Sequence, residues 1–187
     1  SLAAYGFARL EFIGRDFLFL LILGTMMLPG QVTIIPLFII YKRLGWLNTH
    51  FPLFVPAFFA PPFYAFLLRQ YFLTIPWELE DAAVIDGCSR VGILRHVILP
   101  LTKPALVAVT IFVFMESWND FFGPLMYLTS QKLFTVTLGL SAFRGEFYTQ
   151  WNLLLAASVT AISPCLVIFF CFQKYFVEGL ALTGLKG

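Results

Sequence analysis

Charged side chains are scarce in this sequence. They make up 12% of its 187 residues, while hydrophobic residues reach 60%; an average soluble domain has about 25% charged residues. A soluble domain of this length must cover itself with polar surface, and so few charges cannot provide it. The composition therefore excludes an ordinary cytosolic enzyme and indicates a protein whose solvent is lipid. The apolar content also excludes a disordered chain.

Cysteine, histidine and basic runs are also sparse. Cys88, Cys165 and Cys171 show no CxxC spacing, which argues against a disulfide framework or a zinc site. His50 and His96 lie too far apart in the expected topology to hold a metal. The net charge of +2 comes without a Lys/Arg run, so nucleic-acid binding is not supported.

Catalytic sequence patterns are missing as well. The sequence has no GxxxxGK[ST] loop for ATP, no GxSxG elbow and no HExxH pair. We therefore expect a subunit that is not an enzyme and needs no cofactor. If it transports a solute, the energy must come from a partner or from an ion gradient.

Four windows are long and apolar enough to cross a bilayer, which takes about 20 residues. These windows are 17–41, 51–72, 104–128 and 151–173. They predict an all-α polytopic membrane protein with four complete spans. The first window is either one kinked span or is broken at Pro29-Gly30. The apolar segment that ends at Arg9 is expected to be the tail of an earlier span, so the chain is expected to be N-terminally truncated.

A single long polar stretch, residues 74–103, separates the second window from the third. If it is cytoplasmic, eight basic residues share its side of the membrane and four lie opposite, which favours this orientation. Both ends of the chain are then cytoplasmic. The eight are Arg9, Arg15, Arg69, Arg90, Arg95, Lys103, Lys174 and Lys186, and the four are Lys42, Arg43, Lys132 and Arg144.

The polar stretch carries signals for two short helices. Thr74 can cap the first, Pro76 suits its first turn, and acidic residues follow at the positive end of its dipole. Gly87 is expected to stop that helix in the left-handed conformation. Ser89 can cap a second helix over 90–98, which should end before Pro100.

One face of the first predicted helix is rich in small residues. Its members lie three and four residues apart: Leu79, Ala82, Ala83 and Asp86. The alanines allow either close docking of a partner or packing against the protein's own spans. Periodicity alone leaves both open.

The spacing within the polar stretch resembles a known motif. Asp81-Ala82-Ala83, three residues, Gly87 and then Val97-Ile-Leu-Pro100 is similar to the EAA loop of permease subunits in binding-protein-dependent ABC importers. Asp81 replaces the usual Glu and Val97 the usual Ile. Further segments resemble the carbohydrate branch, relatives of the smaller maltose-permease subunit: Tyr5–Arg9, Asp86-Gly87, Trp118–Asp120, Tyr175–Gly179 and Lys186-Gly187.

The resemblance implies a type I permease bundle in a bacterial inner membrane, with six spans in the family and the EAA loop between the fourth and fifth. It implies a second permease subunit, two cytoplasmic P-loop ATPases and an extracytoplasmic solute-binding protein. Candidate ATPase-docking residues are Glu80, Asp81, Ala82, Ala83, Asp86, Gly87, Leu99 and Pro100.

A polar group interrupts the third apolar window. Glu116 lies near its middle, and Trp118, Asn119 and Asp120 follow. Charges at that depth are costly and usually face a bundle interior or a watery cavity. An aromatic ring and an amide suit a sugar, so these four residues are candidates for the translocation path. Alternatively they form a structural polar cluster, or Asp120 lies at the outer interface.

Other functions remain open at this point. An ion-coupled secondary transporter could use Glu116 or Asp120, but it needs no docking loop and often shows two related halves, which we do not find. A permease for a non-sugar solute would have the same loop. A membrane scaffold would leave Glu116 unexplained.

Overall fold

The computed structural model describes residues 1–143 and 150–184, with the backbone alone from 174 onward. Within these ranges the chain is helical, without strands. The α-helices are α1 Leu2–Arg9, α2 Arg15–Thr25, α3 Gly30–Arg43, α4 Phe51–Phe54, α5 Pro62–Leu73, α6 Glu78–Ile85, α7 Arg90–Ile93, α8 Leu99–Leu101, α9 Lys103–Asn119, α10 Phe122–Tyr127, α11 Val136–Ser141 and α12 Trp151–Gly184. Short 3₁₀ helices cover Val55–Phe59 and Gln131–Leu133, and a π-helical turn covers Leu94–Ile98.

The chain divides into two compact units. Unit 1 comprises residues 1–29, 59–109 and 178–187, and unit 2 comprises residues 30–58 and 110–177. Arg144, Lys186 and the side chains of Lys174 and of the tail segment Tyr175–Gly179 lie outside the described residues. What the sequence predicts for them stays a prediction.

The number of complete spans is between two and four by length and composition in the described part of the chain. Phe51–Leu73 and Trp151–Gln173 each qualify alone. Two further pairs qualify only if each is counted as one interrupted span: Arg15–Thr25 with Gly30–Arg43, and Arg90–Leu101 with Lys103–Asn119. The helical architecture thus agrees with the predicted class, while the predicted four complete spans are not established.

The first apolar window is broken rather than merely kinked. Helix α2 ends at Thr25, and α3 begins at Gly30. Pro29 lacks an amide hydrogen and disfavours helical geometry in the residue before it, so the chain leaves the helix there. The second window is also interrupted, because Ala60 adopts a left-handed φ of 55° ahead of Pro61 and Pro62.

The third window, 104–128, is not a single helix. Helix α9 ends at Asn119, and α10 starts at Phe122. The Asp120 carboxylate accepts a hydrogen bond from the Gly123 amide at 3.0 Å, a local bond that competes with helix continuation. Glu116 therefore lies in the last turn of α9 and not in the middle of a continuous helix. The helix of the fourth window, α12, runs beyond the predicted window, to Gly184.

Unit 1 has a continuous apolar core made by α1, α5 and the segment that follows α6. Small residues on α1, Ala4 and Ala8, allow close approach, while Phe72, Ile93 and Ile98 are fully buried. Ala83 of α6 belongs to the same cluster. The polar stretch is thereby packed onto the ends of α1 and α5, and is not a loose linker.

Candidate functional site

Helix α6 begins at Glu78 and is preceded by Trp77. The predicted Thr74 cap is wrong: the Thr74 hydroxyl donates to the Tyr71 carbonyl at 2.7 Å, so it closes α5 instead. Thr74 lies three residues before Trp77, the residue that precedes the helix, and is therefore too far away to cap α6. The predicted acidic residues do lie in the first turn. There Glu78, Glu80 and Asp81 interact favourably with the positive end of the helix dipole.

The end of α6 confirms the predicted glycine stop. Gly87 has a φ of +79°, in the left-handed region that glycine enters without a steric penalty. Its amide donates to the Val84 carbonyl at 3.0 Å, and the Cys88 amide donates to the Ala83 carbonyl at 2.9 Å. This pair of bonds is the Schellman motif, and it fixes how sharply the chain turns after the helix.

The second predicted helix has the expected start but a different end. The Ser89 hydroxyl accepts from the Gly92 amide at 3.2 Å and caps α7. The helical path then continues past Pro100 to Leu101 through a π turn, in which the Leu99 amide donates to the Leu94 carbonyl. A π turn is wider than an α turn, and this leaves room for the proline ring that was expected to end the helix.

The two faces of α6 have different surroundings. Glu80 and Ala83 point inward and are 1% and 8% exposed. Asp81, Ala82 and Asp86 are exposed. The two alanines therefore differ. Ala83 packs against the protein's own core in unit 1, whereas Ala82 is exposed and available to a partner.

A surface of mixed apolar and acidic character surrounds the end of α6. We call it the coupling surface and define it by Asp81, Ala82, Ile85, Asp86 and Gly87, all exposed. Ile85 is 86% exposed, although an isoleucine on a helix normally packs inside. The later motif residues lie elsewhere: Leu99 packs partly on the core of unit 1, and Pro100 is exposed.

A buried ion pair holds the inner face of α6. Arg9, the last residue of α1, is 3% exposed, and its Nε lies 3.0 Å from Oε1 of Glu80. Its Nη2 donates to the carbonyls of Phe72 and Ile75, and its guanidinium carbon lies 4.2 Å from the centre of the Trp77 ring. One side chain therefore contacts the end of α5, the connection after it and the first turn of α6.

Sequence reasoning missed this role of Arg9, which it counted only as a basic residue at the end of a family segment. A signal was available. Arg9 follows Tyr5 and Ala8 on the apolar face of α1, and Glu80 lies one turn before Ala83 on the inner face of α6. Charges at inward positions are seldom buried unless they are paired.

The energetics of this pair are asymmetric. Burial raises the pKa of the Glu80 carboxyl, and the charges of Arg9 and Arg90 oppose that rise. The attraction between two buried charges roughly offsets the cost of removing them from water, whereas deleting one partner of such a pair costs about 3–5 kcal/mol. The pair therefore contributes more to the geometry of this region than to its net stability.

A second arginine makes related contacts within unit 1 without touching α6. Arg69 of α5 donates from Nε to the Phe7 carbonyl at 3.1 Å, and its guanidinium carbon lies 4.2 Å from the centre of the Phe19 ring. Both arginines thus combine a carbonyl acceptor with an aromatic face. They differ in that Arg9 alone is paired with α6.

The four candidate path residues lie in unit 2 near the end of α9. Glu116 and Asn119 are exposed, and the Asn119 amide donates to the Met115 carbonyl of its own helix. Trp118 donates from Nε1 to the Ala161 carbonyl at 2.9 Å, and its own carbonyl accepts from the Thr137 hydroxyl. Trp118 therefore ties α9 to α11 and α12, while Glu116 remains at the surface of the chain.

Asp120 is held by the hydrogen bond that it accepts from the Gly123 amide, and the space around that bond is tight. A Cβ placed on Gly123 would lie 2.4 Å from Oδ2 of Asp120 and 3.3 Å from Cδ2 of Leu53. A side chain at position 123 would therefore displace the Asp120 carboxylate from its present position. Sequence reasoning assigned no role to Gly123.

Another polar junction in unit 2 was also missed. The Asn48 side-chain oxygen accepts from the amides of Thr129 and Ser130, and the Asn48 amide donates to the Tyr127 carbonyl at 2.8 Å. His50 has Nε2 2.9 Å from the Leu133 carbonyl. These bonds join the connection between α3 and α4 to the segment after α10.

Metal chemistry has no site in the part of the chain that the structure describes. No group of three or more His, Cys, Asp or Glu side chains converges there. What the geometry provides is a set of apolar helices, an anchored helix–turn–helix with an open surface, and a polar break near the end of α9. This combination defines a polytopic membrane protein with a surface suited to a protein partner.

Comparison with known families agrees with that class. The model of the family described as "Binding-protein-dependent transport system inner membrane component" matches residues 1–181. The chain belongs to this family. The EAA-like spacing and the resemblance to carbohydrate ABC permeases point to the same group of proteins as the family match.

Individual relatives are similar over the whole chain. It is 41% identical over 187 residues to the arabinooligosaccharides transport system permease protein AraQ of Halalkalibacterium halodurans, covering 100% of this chain and 67% of AraQ. It is 38% identical over 189 residues to the trehalose/maltose transport system permease protein MalG of Thermococcus litoralis, covering 100% of this chain and 68% of MalG. The chain thus spans about two thirds of these relatives.

A solved structure supports the fold. The crystal structure of a bacterial ABC transporter involved in the import of the acidic polysaccharide alginate contains a chain that is 27% identical, with a TM-score of 0.81. The match covers 92% of this chain and 66% of that one. The helical fold of this chain is therefore similar to that of a chain in an ABC importer, in agreement with the family match.

Proposed function

We propose that this chain is a transmembrane subunit of an ABC importer and forms part of the translocation path for a carbohydrate. It works with a second permease subunit, two cytoplasmic P-loop ATPases and an extracytoplasmic solute-binding protein. It resides in the bacterial inner membrane, with both ends of the chain and residues 74–103 on the cytoplasmic side.

The observation that carries the proposal is the coupling surface. Helix α6 ends in a Schellman motif at Gly87, and its outer face presents exposed Ala82 and Ile85 between two acidic residues. A small residue beside an exposed apolar one permits close approach and dehydrated contact by a protein partner. Family membership supports an ATPase as that partner.

Within this proposal the predicted docking residues divide into two groups. Asp81, Ala82, Asp86 and Gly87 contact the ATPase directly, because they are exposed. Glu80 and Ala83 act from the inner face by fixing α6 on the core of unit 1. Leu99 and Pro100 shape the return of the chain after the π turn.

The transport cycle then follows from rigid attachment. ATP binding and hydrolysis move the ATPases. The coupling surface moves with them because it is bound to an ATPase. Since Ala83 of α6 shares one buried cluster with residues of α1 and α5, and Glu80 is paired with Arg9 of α1, the displacement passes to those helices. This chain supplies the path and the attachment, and the partner subunits hydrolyse ATP.

The solute is proposed to be a carbohydrate on the strength of the relatives named above. Glu116 and Asn119 are proposed to border the path, because both are exposed on the described chain near the polar break in α9. Asp120 and Trp118 are proposed to support that border, since each makes a hydrogen bond that holds neighbouring segments in place.

The test is co-purification of an ATPase from native membranes in mild detergent. Ala82→Arg places a long charged side chain on the coupling surface, and we expect loss of the P-loop ATPase, identified by mass spectrometry, together with loss of sugar uptake. Ala142→Arg is the matched control, because Ala142 is also exposed but is predicted to face the other side of the membrane. It should retain the ATPase.

The competing ion-coupled transporter gives a different result. In that case no P-loop ATPase accompanies the unaltered protein, and uptake stops when an ionophore collapses the proton or sodium gradient while ATP remains. A permease for a non-sugar solute would instead retain the ATPase and fail to take up any sugar offered.

A further inference from the structure

Arg9 lies where three parts of unit 1 meet. Its Nη2 donates to the carbonyls of Phe72 in the last turn of α5 and of Ile75 in the connection after it, and its Nε is 3.0 Å from the Glu80 carboxylate on α6. Its own backbone ends α1. The guanidinium is therefore a common contact of α1, α5 and α6.

The Phe72 carbonyl lies in the last turn of α5, where carbonyls have no amide four residues further along the helix to accept from, and the Ile75 carbonyl lies in the connection that follows. A cation near a helix C-terminus also interacts favourably with the helix dipole. Because the guanidinium is planar with donors in fixed directions, its Nη2 bonds to the two carbonyls fix where the group lies, and the Glu80 carboxylate meets that fixed charge as an ion pair, with Nε 3.0 Å from Oε1. A lysine ammonium has no comparable directional constraint.

Apolar packing alone does not fix α6 in the same way. Ala83 reaches the core through a single methyl group, and such contact tolerates rotation or sliding of a two-turn helix. The Glu80 carboxylate lies on the same inner face, and its pairing with Arg9 sets the rotation of α6 about its axis. The outward direction of Ala82 and Asp86 follows from that rotation.

We infer that Arg9 is a positioning residue for energy coupling: through Glu80 it fixes the orientation of the coupling surface on α1 and α5. The inference rests on the proposed function. It adds that the buried pair determines how much of the ATPase movement reaches the transmembrane helices. Weakening it should uncouple ATP hydrolysis from transport.

The decisive variant replaces both partners together. Single changes such as Arg9→Met leave Glu80 charged and buried, and can prevent folding. The double variant Arg9→Met with Glu80→Leu removes both charges while keeping volume, and buried ion pairs often tolerate such replacement without loss of stability. If Arg9 and Glu80 serve only stability, this variant should transport as well as the original protein.

The measurement is sugar uptake per ATP hydrolysed, in proteoliposomes that contain the purified complex. We expect the double variant to keep its membrane abundance and its bound ATPase, while uptake per ATP falls about tenfold. Arg69→Met is the matched control, because it removes a carbonyl bond and an aromatic contact in unit 1 without reaching α6. It should keep the original ratio.

A double variant with bound ATPase and an unchanged ratio overturns the positioning role but leaves the docking proposal intact. Absence of ATPase from the unaltered protein overturns both. If the double variant does not reach the membrane, the pair is required for folding and the inference is again overturned. Arg9→Lys adds an independent check, because it keeps the charge without the planar group. Its membrane abundance should equal that of the original protein, while its uptake per ATP should lie between those of the original protein and the double variant.

Discussion

Two glutamates of this chain have surroundings opposite to those their positions in the sequence suggest. Glu80 lies in the one long polar stretch, yet it is 1% exposed and paired with Arg9. Glu116 lies within an apolar window, yet it is exposed on the chain, in the last turn of α9. The polar character of the neighbouring sequence therefore does not reveal where a carboxylate is buried.

The difference has a physical basis. Glu80 was placed by the inner face of a short helix, and only the fold brings Arg9 to it across 71 residues of sequence, so its burial is a tertiary effect. Glu116 lies in an apolar window that is expected to contact lipid or partner helices. Its exposure on the single chain therefore does not describe its environment in the membrane. We therefore assign Glu80 to the architecture of unit 1 and keep Glu116 as a proposed residue of the translocation path.

The largest expected effect comes from breaking the buried pair on one side. Glu80→Ala should lower the stability of the purified protein by about 3–5 kcal/mol, because it leaves Arg9 charged and buried. Thermal unfolding in detergent measures this. Glu78→Ala is the control, since Glu78 is exposed in the same helical turn and should change stability by less than about 0.5 kcal/mol. Equal effects of the two changes would contradict the burial of Glu80.

The turn after α6 should be the next most sensitive point. Gly87→Ala puts a Cβ on a residue with a φ of +79°, which costs about 1–2 kcal/mol. Gly6→Ala in the interior of α1 meets nothing within 4 Å and should instead stabilise by about 0.5–1 kcal/mol. Thermal unfolding of both variants gives the comparison. A neutral Gly87→Ala would show that the Schellman turn is not kept.

The polar break of unit 2 should show a smaller effect. Gly123→Ala forces Asp120 out of its present position, and loss of the hydrogen bond between the Asp120 carboxylate and the amide of residue 123 costs about 1 kcal/mol. Asp120→Asn retains an acceptor and should be nearly neutral in the same unfolding assay. If Asp120→Asn is the more damaging of the two, the carboxylate charge matters more than its hydrogen bond.

The smallest effect on stability is expected at Glu116. Glu116→Gln changes an exposed side chain and should alter stability by less than about 0.5 kcal/mol. Sugar uptake per unit of protein should nevertheless change, because the proposed path loses a charge. Measuring uptake and protein abundance together distinguishes a role of Glu116 in the translocation path from a structural role. A variant in which only abundance changes identifies Glu116 as structural.

The coupling region was largely predictable from local sequence. Gly87 and Ser89 act through bonds to residues within five positions, and such turn chemistry can be read directly from the residues. Arg9 with Glu80 could not be paired in this way, because their contact depends on how α1, α5 and α6 pack. The sequence pattern nevertheless contained inward-facing charges that needed partners.

The apolar windows were predicted less well, for a similar reason. Hydropathy averages over a window and does not register a single residue that ends a helix. Pro29, Pro61 and the hydrogen bond between Asp120 and Gly123 each interrupt a stretch whose average hydropathy is high. A two-residue signal from Asp120 and Gly123 was present, but it is too short to recognise without the close approach seen in the structure.

Site-specific cross-linking from Ala82 tests the central claim most directly. In a background where Cys88, Cys165 and Cys171 are changed to Ser, a cysteine at position 82 carrying a short photoactivatable probe should form a product with a P-loop ATPase in native membranes. The same probe at position 142 should form none. An ATPase product from both positions, or from position 142 alone, would contradict the assignment of the coupling surface.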